Sequence, residues 1–576
     1  MLVNDFSVSN PNSQLWQDTG KGVRTMGGGY KNRIHKLSAA VGHAALDKTR
    51  DRLRVLRRLT SEGAKLGEDL SQVVAQLRRV PASGDQPFLF TGNLAENEHL
   101  LRVALRDCDD IKYRAFETLG RKALLVYLEG MTDTVMVEKD VLETLMGAGP
   151  DTLSSGVDME RIVHTLCTTS SLTLVSKADA ALESILTGNA FIMIDGLDRA
   201  IMVGSVKHVK RNVEGAKSEG SVRAPFDAFN ETLKDNIVLL RRRSLDTNLK
   251  VRIVKVGERT KTSIAVVYIA NLVKPGLVEE LFRRLDAITT DRILLAYNVA
   301  EAISEHPWTP FPQVIDTEMP ERVIASLYEG RVAILTDNTP FCLVIPCTYT
   351  AIMQSTDDFS VQPVIGSLLR LTRHVAAFIA IYLPAIYIAI VSYHPGILPT
   401  PLAISIAELR ARSPFPSLLE AVMMEALLEL LQEAVVRLPN KLVGVASMLG
   451  AFVVGTTVVQ AGLINPLLVV VTSVTAIASF SISSYNFGIA LRALRIPMFI
   501  AASVLGLYGV IISALLVTIH LCSLRSFGES WLGGTANITL MQDWKDGLVR
   551  LPARFLRTRP KETGAQELER AGDGSG

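Results

Sequence analysis

Apolar residues are distributed in two different ways along this chain. Up to about residue 366 they come in short blocks broken by charges and turn residues; from His374 to His520 they come in long runs with few charges. The short blocks predict alternating helices and strands. Leu94–Ala104 has helical spacing, Ala123–Leu128 is a strand too apolar to face water, and Lys139–Met146 and Arg161–Thr165 are again helical. Ala190–Ile194, the turn Asp195-Gly196 and Ala200–Gly204 predict a hairpin. Phe229–Arg243 and Val278–Leu285 read as helices, and Lys250–Val256 and Ser263–Ile269 as strands. Arg331–Leu335 and Phe341–Ile345 form a strand pair about Thr336-Asp337-Asn338. The expected head is α/β, with tandem subdomains over 88–184 and 185–366. A disordered stretch (1–30) and a basic amphipathic helix with its linker (31–87) are expected before it.

The long runs predict an all-α multi-pass membrane domain over 367–525. His374–Val391 is apolar and long enough to approach a crossing, with a kink expected at Pro384. Ser392–Pro416 is a polar, proline-rich connection. Leu442–Val459, Pro466–Ser484 and Pro497–Leu521 complete about four spanning segments. Between the first two lies Ser417–Leu438, apolar on one side and carrying Glu425, Glu429 and Glu433 at helical spacing. Those carboxylates share one face. In a membrane they demand water, cations or basic partners. Arg370 and Arg373 precede the first segment, and Lys545, Arg550, Arg554, Arg557, Arg559 and Lys561 follow the last. Basic flanks favour a cytoplasmic head and a cytoplasmic basic tail over 526–576. This topology leaves Arg492 and Arg495 outside; a fifth crossing would put the whole tail outside instead. The acidic helix is therefore expected to be re-entrant or interfacial.

Gly444, Ser447, Ala451 and Gly455 form a face of small residues along the second segment. That face fits close helix packing or a pore wall. Val443, Val445 and Met448 lie toward the acidic helix and fit an apolar constriction. Glu425, Glu429 and Glu433 are the candidate cation-attracting face.

Composition adds boundaries rather than a function. The 576 residues carry 60 basic and 58 acidic side chains, and mean hydropathy is +0.26. Met1–Gly22 holds no apolar run of leader type. Five cysteines in no pairing pattern point to buried thiols. The basic Lys31–Val80 helix fits packing on a protein surface or lying on a membrane, and no nucleic-acid motif accompanies it. Val256–Thr262 lacks the paired glycines of a phosphate loop, and the nine histidines show no metal-ligand spacing. No catalytic set, metal site or cofactor is expected. Arg241, Arg242 and Arg243 read as a salt-bridged helix end, with anion or lipid binding as the alternative.

The order of short motifs over some 450 residues carries a resemblance. In the head these are Asn93 with Glu96, Arg223-Ala224-Pro225, Asn236 with Arg241–Arg243, Phe311-Pro312, Thr317-Glu318-Met319-Pro320, Gly330-Arg331 and Thr339-Pro340. In the membrane part they are Pro414-Phe415-Pro416, Glu420, Met424-Glu425, Arg437-Leu438-Pro439, Ala461-Gly462 and Thr475–Ala478. Together they resemble the A subunits of the GerA-type spore germinant receptors, with the stage V sporulation AF protein as a related branch. Met319, Gln432–Val435 and Gly455–Val458 depart from the family pattern. The resemblance implies a subunit in the spore inner membrane, acting with a transporter-like B subunit and a C lipoprotein. An AF-like member would work with a small membrane partner instead. It further implies a homo-oligomer, thought pentameric, that releases monovalent cations on nutrient sensing. A non-conducting scaffold coupling a nutrient-binding partner to later proteins is the alternative.

Overall fold

The computed structural model describes residues 89–148, 160, 162, 171–207, 227–439, 442–444, 448, 450, 452–533, 546–547 and 549–570. The two expected N-terminal segments, the Arg161–Thr165 helix apart from Ile162, and Val445, Ser447 and Ala451 lie outside them.

The head holds two five-stranded sheets. The first comprises β1 (Ile111–Thr118), β2 (Arg121–Leu128), β3 (Leu172–Val175), β4 (Ala190–Ile194) and β5 (Ala200–Val203), in the order β1-β2-β4-β5-β3. Every pairing is antiparallel, with Ile111 opposite Leu128 and Ala123 opposite Ile194. The expected hairpin is therefore β4–β5, but it belongs to this first sheet. The subdomain boundary drawn between residues 184 and 185 cuts through it. Strand β1 escapes sequence reading because it is an edge strand whose middle residues stay solvent-facing. Its turn to β2 sets Leu119 and Gly120 at φ 53° and 71°, a primed-turn geometry in which leucine gives no signal. Helices α1 (Leu94–Ala104) and α2 (Ala178–Leu186) accompany this sheet.

The second sheet joins β6 (Leu249–Val256), β7 (Thr262–Ile269), β8 (Ile315–Thr317), β9 (Val332–Thr336) and β10 (Cys342–Ile345), in the order β6-β7-β9-β10-β8. One face packs on α4 (Leu277–Asp286) and α5 (Ala296–Ile303) through Leu281, Val299 and Ile334. The other packs on α3 (Leu233–Arg241) and α6 (Pro320–Leu327) through Ile237, Val323 and Leu335. Cover on both faces explains why β9 is buried along its whole length and reads as an unbroken apolar run. Cys342 and Cys347 are buried free thiols of this core; burial pushes the Cys347 thiol up to about 12 despite nearby Arg331.

The two sheets meet at a single buried ion pair. Arg241 donates from Nε and Nη2 to the two oxygens of Asp110, at 2.8 and 3.0 Å, and from Nη1 to the Leu249 carbonyl at 2.9 Å. Neither side chain is accessible to any useful degree. A parallel bridge between Cys108 and Val251 lies beside it. Arg243 pairs with Asp227 and Glu321, so the arginine run is a salt-bridged helix end.

The helical region begins with α7 (Pro363–Tyr393), which starts eleven residues before the expected segment. It is followed by α8 (Thr400–Ala411), α9 (Ser417–Arg437), α10 (Pro466–Phe480), α11 (Tyr485–Leu505) and α12 (Leu507–Ser523). By length and composition α7 and α11 are apolar enough to cross a membrane, and α10 and α12 are shorter apolar helices. Two expectations change here. The polar connection contains α8, and the last apolar run is a helical hairpin rather than one helix. Gly506, at φ +60°, makes that turn. A Cβ there would meet His394 and Tyr393 at 2.9 and 3.1 Å. Phe487 on α11 and His520 on α12 both approach Phe311 of the head, which places the two open ends of the hairpin at the head.

The basic tail is docked on the head and on the base of α7. Arg370 at the base of α7 donates to Asp358 at 3.2 Å and also bonds the Asp546 backbone carbonyl. Arg550 caps the carbonyls of Val361 and Phe359. Gln566 bonds Leu272 and Val273, and Arg559 bonds Tyr328. Glu562 accepts from Thr348 and Arg331. Tail, head and α7 thus share one charged network.

Two outcomes follow. Asp110→Ala strands a buried guanidinium and lowers unfolding stability by about 3–5 kcal/mol; adding Arg241→Met recovers most of the loss, read as the thermal midpoint of the detergent-solubilised chain. Burial opposes ionisation of Asp358, but Arg373 and Arg370 together hold its carboxyl below the ordinary range. Its stabilisation is complete above about pH 4, the unfolded value, and drains as pH falls through the lowered one. Tail protection in limited proteolysis therefore declines on acidification, with a flatter acid limb in Asp358→Asn.

Candidate functional site

Four helices of the apolar region converge on one side chain. Arg495, in the middle of α11, is 1% exposed. Its Nη1 donates to Glu425 Oε1 on α9 at 2.7 Å, its Nε to the Ala380 carbonyl on α7 at 2.6 Å, and its Nη2 to Ser479 Oγ on α10. The Ala380 carbonyl is available for a local reason. Its helical donor would be the amide of residue 384, and Pro384 has none. The proline expected to kink α7 therefore supplies an acceptor that the buried guanidinium takes up.

One turn closer to the head, Glu429 approaches Arg492 at 3.4 Å. Residues that advance along α9 thus meet residues that recede along α11, so the two helices run antiparallel. The first half of α9 is buried, with Ala421, Met424 and Glu425 in the interior. Ser417 at its start bonds Ser392 at the end of α7 farthest from the head. The acidic helix is packed into the bundle alongside α11, a different placement from the re-entrant or interfacial one. Arg492 and Arg495, expected outside, lie within α11 and pair across to the Glu429 and Glu425 carboxylates of α9.

Among the described residues Glu433 pairs only with Arg437 of its own helix, at 2.7 Å from Nε, and both are exposed. The three carboxylates therefore differ. Glu425 is a buried structural anion, Glu429 is half-compensated, and Glu433 is open to solvent.

Glu429 and Glu433 line a cavity of about 640 Å³ together with Gln432, Arg492, Ser473, Gly450 and Gly455. Gln432 Oε1 is buried there without a hydrogen-bond partner among the described residues, and Arg492 Nε has there the 3.4 Å ion pair with Glu429 in place of a hydrogen bond. Such a buried oxygen calls for water or a polar solute. Gly455 sits in a π-helical turn, Val453–Thr457. Among the described residues a Cβ on Gly444 or Gly455 would meet nothing within 4 Å, whereas one on Gly450 would strike Leu431 at 2.5 Å. Close packing thus occurs at Gly450, which the small-residue face did not include. Val443 is half-buried, and Met448 is 76% exposed.

The arginines had a signal in the sequence. Arg492-x-x-Arg495 within an apolar run complements Glu425-x-x-x-Glu429 when the helices are antiparallel. The signal is weak because nothing local gives the helix direction.

Comparison with known proteins is consistent over nearly the whole chain. The family model described as Bacillus/Clostridium GerA spore germination protein matches residues 99–562. Spore germination protein B1 of Bacillus subtilis (strain 168) is 36% identical over 483 residues, 81% of this chain and 96% of that protein. Spore germination protein GerLA of Bacillus cereus is 35% identical over 82% of this chain and 95% of its own length. The uncharacterized membrane protein YfkQ of Bacillus subtilis (strain 168) is 34% identical over 84% and 93%. The crystal structure of the N-terminal domain of the A subunit of the Bacillus megaterium spore germinant receptor GerK3 aligns with 46% of this chain and 99% of that domain, at 25% identity and a TM-score of 0.37.

Glu425→Gln leaves Arg495 buried without its counter-charge. The thermal midpoint of the solubilised chain falls well below that of Glu433→Gln, whose solvated pair contributes about 0.3–0.5 kcal/mol. A charge swap, Glu425→Arg with Arg495→Glu, leaves the Ala380 carbonyl without its donor and restores stability only in part.

Proposed function

Because this chain belongs to the GerA family of spore germination proteins, we propose that it is the A-type membrane subunit of a germinant receptor and that its helical region passes monovalent cations when nutrient is sensed. The observation that carries this reading is the cavity beside α9. Within an apolar bundle it gathers the carboxylates of Glu429 and Glu433, serine hydroxyls and the buried Gln432 oxygen, which has no hydrogen-bond partner among the described residues. Carboxylates there raise the local cation concentration, and the hydroxyls replace hydration water.

In this reading Val443, Gly444, Ser447, Met448, Ala451 and Gly455 lie along the path or its gate. The open space beside Gly444 and Gly455 and the exposure of Met448 suit a surface completed by neighbouring copies in a homo-oligomer, with a pentamer as the working arrangement. Helices α7, α9, α10, α11 and α12, with the stretch 442–460 between α9 and α10, make an even number of passes. Head and docked tail then share the core side of the spore inner membrane. A transporter-like B subunit and a C lipoprotein are the proposed partners, or a small membrane partner in an AF-like complex. Membrane lipid surrounds the bundle, and no nucleic acid or catalytic step is involved.

A second reading is a non-conducting scaffold that couples a nutrient-binding partner to later germination proteins. It is favoured by the pairing of each carboxylate with an arginine.

Glu429→Gln with Glu433→Gln separates the two. Both residues line the cavity and neither anchors Arg495, so assembly is retained. Conduction predicts a several-fold slower cation release from germinating spores and a lower unitary conductance of the purified oligomer in bilayers. Unchanged release, together with a silent oligomer, favours the scaffold.

A further inference from the structure

We propose that Trp308 is an interfacial anchor that seats the head on the membrane surface, its indole lying among lipid headgroups. The proposal rests on the reading that α11 and α12 cross a bilayer. Trp308 is 98% exposed, yet the loop that carries it is held firmly. Pro307, Pro310 and Pro312 restrict the backbone. The buried Gln313 side chain accepts from the amides of Glu305 and His306, each at 3.0 Å, and donates to the His306 carbonyl at 2.7 Å. A large aromatic side chain left almost fully exposed on so well-held a loop is set out for something outside the chain.

The loop's position identifies that something. Thr309 Oγ1 lies 2.9 Å from His520 Nε2, at the head-side end of α12. Phe311 packs between Phe487 of α11 and Trp531. Trp308 therefore stands beside the point where two apolar helices reach the head, at the depth where a bilayer's polar boundary falls. Tyr297 and Leu295 line the adjoining cavity of about 610 Å³ with Ile489 of α11, and all three are exposed. Ile519 is exposed next to His520 on α12. The patch around Trp308 is thus continuous with the outward apolar surface of the helices, which argues for lipid over a soluble partner. An indole suits that boundary because its ring is apolar and its N–H can donate to headgroup oxygens.

The test uses the full chain reconstituted in phosphatidylcholine–phosphatidylglycerol vesicles, as wild type and as Trp308→Phe. The chain has four tryptophans, so the emission of Trp308 is the difference between the two samples. The anchor predicts a difference emission that is blue-shifted, quenched by lipids brominated high on the acyl chain, and shielded from aqueous acrylamide. Quenching by acrylamide alone overturns it in favour of open solvent. Shielding from both quenchers overturns it in favour of a protein surface, such as a second copy. Alkaline extraction separates the premises. Release of wild type from the vesicles removes the spanning reading itself. Retention with a water-exposed Trp308 removes the anchor alone. Trp308→Phe follows wild type in extraction, since it leaves the helices untouched.

Discussion

A guanidinium in an apolar bundle sets the terms for the helices around it. Arg495 has five N–H donors and is almost wholly buried, so its surroundings must supply acceptors or the helix cannot stay where it is. The acceptors come from three different helices: a carboxylate on α9, a hydroxyl on α10 and a main-chain carbonyl on α7. Each contact fixes a helix in both register and rotation. Because Arg495 holds α9 in place, Glu429 and Glu433 face the space beside α11 rather than the bundle's exterior. The polar cavity follows from how a buried charge is satisfied one turn away.

The head uses the same device at a different place. Arg241 and Asp110 join the two sheets beside the Cys108–Val251 bridge, and the bidentate geometry fixes their relative orientation. A third cluster, Arg370 with Asp358 and Asp546, joins the head to the base of α7. Buried arginine–carboxylate groups thus sit at each junction of the fold, while the sheets and helices between them are held by ordinary apolar packing. Such groups are poor sources of net stability but strong constraints on geometry.

Legibility in the sequence tracked how local each determinant was. Strands β6, β7, β9 and β10 and helix α4 are visible because their apolar residues repeat at the right period and lie in the core. Strands β1, β3 and β8 are edge strands, β3 and β8 short and paired with strands about 25 residues on, and β1 solvent-facing along its middle, so periodicity says little about them. The membership of β4 and β5 in the first sheet was hidden because β4 pairs with β2, far back in the chain. In the helical region the carboxylate face on α9 was plain. Its meaning was not, because Arg492 and Arg495 sit some 65 residues later and register only once the helix direction is known. Gly506 was likewise passed over in an apolar run, since a glycine inside a membrane helix is unremarkable by composition. Family resemblance supplied what spacing did not, because it draws on the order of motifs across the whole chain.

The docked tail has a consequence for how this protein is made. Arg370 lies at the start of the first apolar helix, and one of its two carboxylate partners, Asp546, follows the last. Synthesis runs from one end to the other, so every hydrophobic segment leaves the ribosome before that contact can form. Until then Arg370 has only Asp358, and the groove that later receives the tail stands open to the aqueous side. The base of the head is therefore completed after membrane insertion. Translation that stops after Ser523 yields a chain with its helices in place and its head unlatched.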